Sequence, residues 1–212
     1  MLIFLALLAG IIGILSFNDN AFAQYSNHKV AVGGGNGTNL LMKYTPNFLS
    51  INIGDSVTWY NPTEVEEPHT TTFVMHKNYF PPIAFPFNVT NTDLFDTVIS
   101  NLNVEPLIIS NNNTQNNDNG NKTTTMIVDN GRVYNPTIID STGNNITTLV
   151  PNSHYVMTGG EKYINSGWIL PEGKIPPGLA PITKFTVTFE KSGTYNYLCI
   201  IHPWMAGSIV VK

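Results

Sequence analysis

The chain has 212 residues, of which 42% are apolar and only 11% charged, under half the charged share of an ordinary globular protein. Ten basic and fourteen acidic residues give a net charge of −4, with no two Lys or Arg adjacent. That excludes the clustered positive face a nucleic-acid binder needs. A single Cys excludes an intrachain disulfide framework, a Cys-rich zinc site and a thiolate-bound iron–sulfur cluster.

Residues 2–17 are almost wholly apolar, a run shorter than the roughly 20 residues that span a bilayer. Asn18-Asp19-Asn20 breaks it, and Ala21-Phe22-Ala23 then offers the small-x-small pattern of a signal-peptidase site. Residues 1–23 therefore read as a signal peptide, with an uncleaved N-terminal anchor as the alternative. Only the anchor would tie the protein to a membrane. In both cases residues 24–212 lie outside the cytoplasm, whether periplasmic, cell-surface or secreted. Asn-x-Ser/Thr sequons begin at Asn36, Asn88, Asn112, Asn121 and Asn145. A chain this rich in Asn and Thr also makes them by chance.

Short apolar-alternating runs follow at Val30–Val32, Phe48–Ile53, Ser56–Tyr60 and Thr70–Met75, separated by Gly-Asp or Thr-Pro-Asn turns. Near the C-terminus Lys184–Glu190 alternates strictly, placing Phe185, Val187 and Phe189 on one face. Ser192-Gly193 turns the chain, Thr194–Cys199 is the next strand, and Gly207–Val211 closes it. Nothing shows a capped 3.6-residue period. The spacing predicts an all-β, Greek-key antiparallel sandwich or barrel.

The middle breaks this rhythm. Residues 101–121 hold nine of the chain's 27 Asn and read as a flexible surface segment that cannot bury enough area to order itself. Thr125–Val128 and Ile146–Val150 keep some strand character. The expectation is one domain, 24–212, interrupted by an insertion at about 76–160 that lies outside the core.

The chemistry-bearing residues cluster in Cys199-Ile-Ile-His202-Pro-Trp-Met205, where a strand ends and a loop must turn. Thiolate, imidazole and thioether together select copper, and two His, one Cys and a weak axial Met make the blue-copper set. A second His is needed. His69, on a loop just before a strand, stands where it could reach the same end of a sandwich. His28, His76 and His154 lack a soft partner at defined spacing and read as structural or surface residues. Glu66 and Glu67 are adjacent in an extended loop, point apart, and read as solvated. Tyr195, Tyr197 and Trp59 read as core packing.

Three stretches carry a resemblance to a known family: Ile51–Asn61; Pro68-His69-Thr70; and Gly193–Cys199 through His202-Pro203-Trp204-Met205 to Val211. Together they resemble the cupredoxins of the plastocyanin, amicyanin and halocyanin group, over about half the mature chain. The resemblance implies one type 1 copper per chain, held by His69, Cys199, His202 and Met205. The two-residue gap between Cys199 and His202 is similar to the short ligand loop of amicyanins. Many members have Asn after the first His where this chain has Thr70, whose hydroxyl is placed to brace the Cys loop.

Three functions follow from that site. The first is a carrier cycling single electrons between Cu(I) and Cu(II), with redox proteins docking near His202, Pro203 and Trp204. The second is a copper enzyme or the electron-transfer domain of one, although the His-x-His pairs of multicopper oxidases are absent from the sequence. The third is a partner-binding module whose insertion does the recognising. A complete two-His, Cys, Met site leaves no open position, which favours the carrier over an enzyme.

Overall fold

The structure is a computed structural model describing residues 25–81, 84–89, 108–116 and 122–212. The apolar N-terminal run and its cleavage pattern fall outside the described residues.

Strands in the first third alternate as their sequences require. β1 (Asn27–Val32) buries Val30 and Val32, and two short pairs follow it, β2 (Gly35–Asn36) with β3 (Asn39–Leu40), and β4 (Tyr44–Thr45) with β1. β5 (Phe48–Ile51) and β6 (Ser56–Tyr60) are joined by a tight turn. Gly54 sits there at φ +90°, a left-handed value that a Cβ disfavours. The buried Asp55 carboxylate accepts the N–H groups of Ser26 and Asn52 and fastens the turn. β7 (Thr72–Val74) follows the loop that carries His69.

The middle contributes β8 (Ala84–Val89), β9 (Ile108–Asn116) and β10 (Lys122–Asp129), which pair only with one another among the described residues. Residues 108–116 are thus a strand within the stretch expected to be flexible throughout. The antiparallel ladder to β10 satisfies their backbone, and a composition count cannot see such a ladder.

Then come β11 (Pro136–Ile139), β12 (Ile146–Thr148), β13 (His154–Met157), β14 (Tyr163–Ser166), β15 (Lys184–Phe189), β16 (Gly193–Leu198) and β17 (Ala206–Val211). One sheet runs β13-β15-β6-β1-β4 and the other β12-β11-β14-β7-β16-β17-β5. The fold is an all-β sandwich whose sequence neighbours are often not spatial neighbours, as Greek-key connections give. Most ladders are antiparallel, but β1–β6, β13–β15 and β17–β5 are parallel.

These sheets correct the expectation that 76–160 lies outside the core. β11, β12 and β13 all fall in that range and join the two main sheets, and Ile138 and Met157 are buried in the main apolar cluster. β11 and β14 are buried at every position. A strand covered on both faces loses the alternation by which strands are recognised.

The core is aromatic at its centre. Trp59 meets Phe73 and Tyr197 edge-on, with ring centroids 5.7 and 5.3 Å apart, and Phe189 packs against Phe73 and Tyr195. Phe185, Val187 and Phe189 all face inward, as their alternation predicts.

Candidate metal centre

Two loops at one end of the sandwich build the site. The first carries His69 between β6 and β7. Its backbone pairs both ways with Ile169, with His69 N–H donating to the Ile169 carbonyl at 3.2 Å and Ile169 N–H to the His69 carbonyl at 2.7 Å. Asn61 braces the same loop, donating through Nδ2 to the carbonyls of Glu67 and Ile169. His69 is buried, at 1% exposure. Gly33, at φ +80°, lies so close to it that a Cβ there would stand 2.5 Å from His69 Nε2. The outer nitrogen of the ring therefore abuts backbone, and Nδ1 faces inward.

The second loop leaves β16 at Cys199 and enters β17 at Ala206. Two backbone bonds curl it, from Cys199 N–H to the Met205 carbonyl and from Met205 N–H to the His202 carbonyl. Cys199 is fully buried, and Met205 is 1% exposed in the same apolar cluster.

These loops bring three donor atoms together. Nδ1 of His69 and Nδ1 of His202 are 3.2 Å apart, and Cys199 Sγ is 3.7 Å from His202 Nδ1. The ligand atoms of His69, Cys199 and His202 all lie within 4.8 Å of one another. Burial, followed by the neighbouring His202, pushes the pKa of His69 down to about 4. Its ring is neutral near pH 7 and keeps a lone pair for a metal. Burial raises the Cys199 thiol, partly opposed by the Thr70 N–H that donates to Sγ at 3.3 Å. Two imidazoles and a thiol converging on one buried point fit a soft or borderline cation. This donor set fits one type 1 copper.

The surroundings fix how each donor points. Glu67 Oε1 lies 3.0 Å from His202 Nε2. The carboxylate holds the ring proton on Nε2 and leaves Nδ1 free to ligate. This corrects the reading of Glu67 as a solvated side chain, because its carboxylate meets the outer edge of His202. His202 itself is 8% exposed. Thr70 braces the Cys loop as its position suggests, its Oγ1 accepting the N–H of Ile200 at 2.9 Å. Tyr44 in turn donates its hydroxyl to the Thr70 carbonyl.

The remaining histidines lie apart from this cluster. His28 contacts Asp55, His76 caps the turn Lys77–Tyr79, and His154 contacts the Thr188 hydroxyl. Among the described residues, His69, Cys199 and His202 form the one group of three such side chains close enough to share a metal. Sequence reasoning missed Gly33 and Glu67, because neither carries a signal until the loops fold together.

The chain is thus an all-β sandwich with a buried His–Cys–His cluster at one end. No family model and no curated protein matches it. Among solved structures it is similar to a methionine-to-alanine variant of amicyanin in its Cu(I) form, at 16% identity over 91% of this chain and 88% of that one, with a TM-score of 0.38. It is also similar to a purple cupredoxin from Nitrosopumilus maritimus, at 16% identity over 87% and 99% of the two chains, TM-score 0.31. A fern plastocyanin mutant matches at 14% identity over 87% and 99%, TM-score 0.34. These overlaps are loose, and the chain's own side chains carry the case for a metal.

Proposed function

We propose that this protein is an exported one-copper electron carrier, with His69, Cys199 and His202 as strong ligands and Met205 as the weak axial one. The observation that carries the reading is the convergence of both Nδ1 atoms and Sγ at a buried point. Copper bound there would supply a one-electron Cu(I)/Cu(II) couple. The chain's part is to hold the ligands still. His69 is pinned by its bridge to Ile169, Cys199 by the Thr70 N–H, and His202 by Glu67. Ligands fixed by backbone and neighbours change position little between oxidation states, which keeps electron exchange fast.

Partner redox proteins would dock beside His202. Supporting this, Trp204 is 70% exposed and its ring centroid lies 5.4 Å from that of His202, and Pro203 is exposed as well. Export rests on the N-terminal sequence. No helix among the described residues is long and apolar enough to cross a membrane.

Visible and electron paramagnetic resonance spectra of the copper-loaded protein test the reading. One copper per chain, a thiolate-to-copper charge-transfer band and reversible one-electron cycling are expected. Copper bound without that band, or no cycling, would sink it. Electron self-exchange between two copies tests the docking face, where Trp204→Asp should slow exchange at an unchanged spectrum.

A further inference from the structure

A chain of hydrogen bonds runs from the Cys199 loop through the sandwich to residues that sequence reasoning assigned to the insertion. Ile200 N–H donates to Thr70 Oγ1 at 2.9 Å, and Thr70 Oγ1 lies 3.0 Å from Thr72 Oγ1. Thr72 Oγ1 donates to Asn165 Oδ1 at 2.8 Å. Asn165 Nδ2 then donates to the carbonyls of Arg132, Val133 and Asn135 at 2.9, 2.9 and 3.1 Å. Thr70, Thr72 and Asn165 are all fully buried.

The proton directions along this chain are forced. Carbonyl oxygens only accept, so the amide nitrogen of Asn165 must face Arg132, Val133 and Asn135, and its oxygen must face Thr72. The Thr72 hydroxyl therefore spends its proton on Asn165 and accepts from Thr70. Thr70 in turn accepts from Ile200. Each hydroxyl then gives once and receives once along this path, and the chain has one polarity. Buried polar groups in such a network are costly to leave unpaired, and a fully satisfied network holds one geometry.

We propose that Asn165 is a positioning residue for the metal centre, and that through Thr72 and Thr70 it ties the backbone next to Cys199 to the helical turn Gly131–Tyr134 and its flanking Asn135. The middle of the chain then supports the site from behind, and the set of the Cys199 thiolate depends on that turn. This rests on the copper reading above.

Two impaired variants and one restoring control test it. Thr72→Val removes one hydroxyl at nearly constant shape in a strand that favours β-branched residues; Thr72→Ser retains the hydroxyl. Asn165→Asp keeps the acceptor for Thr72 but removes the amide donors to the three carbonyls. In Thr72→Val and Asn165→Asp, copper affinity by chelator competition should fall about tenfold or more, as for other outer-sphere supports of metal ligands. The charge-transfer band and reduction potential should move with it, and Thr72→Ser should restore wild-type values. In the metal-free protein, the Ile200 amide should exchange with solvent about tenfold faster in both impaired variants. A fall in melting temperature alone, with affinity, spectrum, potential and Ile200 exchange unchanged, would overturn the proposal by reducing the network to general stability. An unchanged Asn165→Asp would overturn it too. If the wild-type protein takes no copper, the functional reading fails, while Ile200 exchange still decides the positioning role.

Discussion

Nδ1 of His69 and Nδ1 of His202 face each other across 3.2 Å in a buried site. Two lone pairs at that distance repel unless something positive lies between them. In the metal-free protein a single proton can serve, donated by His69 Nδ1 and accepted by His202 Nδ1, because Glu67 already occupies the Nε2 proton of His202. A metal there would be held by His69 Nδ1, His202 Nδ1 and Cys199 Sγ, with the His69 proton moved to Nε2 and the thiol proton given up to solvent.

Cys199→Ala should abolish the charge-transfer colour, because the thiolate supplies the transferring electron. Persistent blue colour in that variant would refute the ligand assignment. Met205→Gln should retain copper yet shift the reduction potential, since the axial ligand tunes it. Absorption and cyclic voltammetry on the same samples separate these outcomes.

The carboxylate of Glu67 orients His202 through Nε2, at 3.0 Å. Glu67→Leu should weaken copper binding about tenfold, the usual effect of removing a carboxylate behind a ligating imidazole. Glu67→Gln should lose less, because its amide oxygen still accepts the Nε2 proton. Chelator competition gives the ranking, and equal affinities for all three proteins would show that the contact does not orient the ring.

Metal-free stability should depend on pH through His69. Its folded-state pKa is about 4, whereas an unfolded His titrates near 6.5. Between these values the unfolded chain binds a proton that the folded chain refuses. Stability is therefore complete above about pH 6.5 and falls as pH drops toward 4. The full effect is on the order of 3 kcal/mol at about 1.4 kcal/mol per pH unit. Melting temperatures of the metal-free protein between pH 7.5 and 4.5 should show the decline, and His69→Ala should flatten it. A flat wild-type profile would contradict the burial argument.

Residues 85–128 should be dispensable for the site. Ala84 and Asp129 are cross-strand partners at the open end of the β8–β10 ladder, so a two-residue turn can join them. The sheet they close shares no ladder with the two main sheets among the described residues. A protein with 85–128 replaced by Asn-Gly should keep the copper spectrum. Its loss would mean that this segment supports the metal loops.

The sequence by itself determined which chemistry is present and most of the sheet framework. Cys199, His202 and Met205 share one short loop, so their proximity is covalent and can be read from spacing. The strict alternation of Lys184–Phe189 set its inward face, because a half-buried strand repeats every two residues. Tertiary structure alone decided the rest. β11 and β14 are buried on both faces and lose that alternation, so the middle of the chain looked like an insertion until the sheets closed over it. Glu67 reaches His202, and Asn165 reaches the Cys199 loop through Thr72 and Thr70, only once residues far apart in sequence are packed together. Local spacing fixes which donors a chain owns, whereas hydrogen bonds between distant segments depend on the packing that aims those donors.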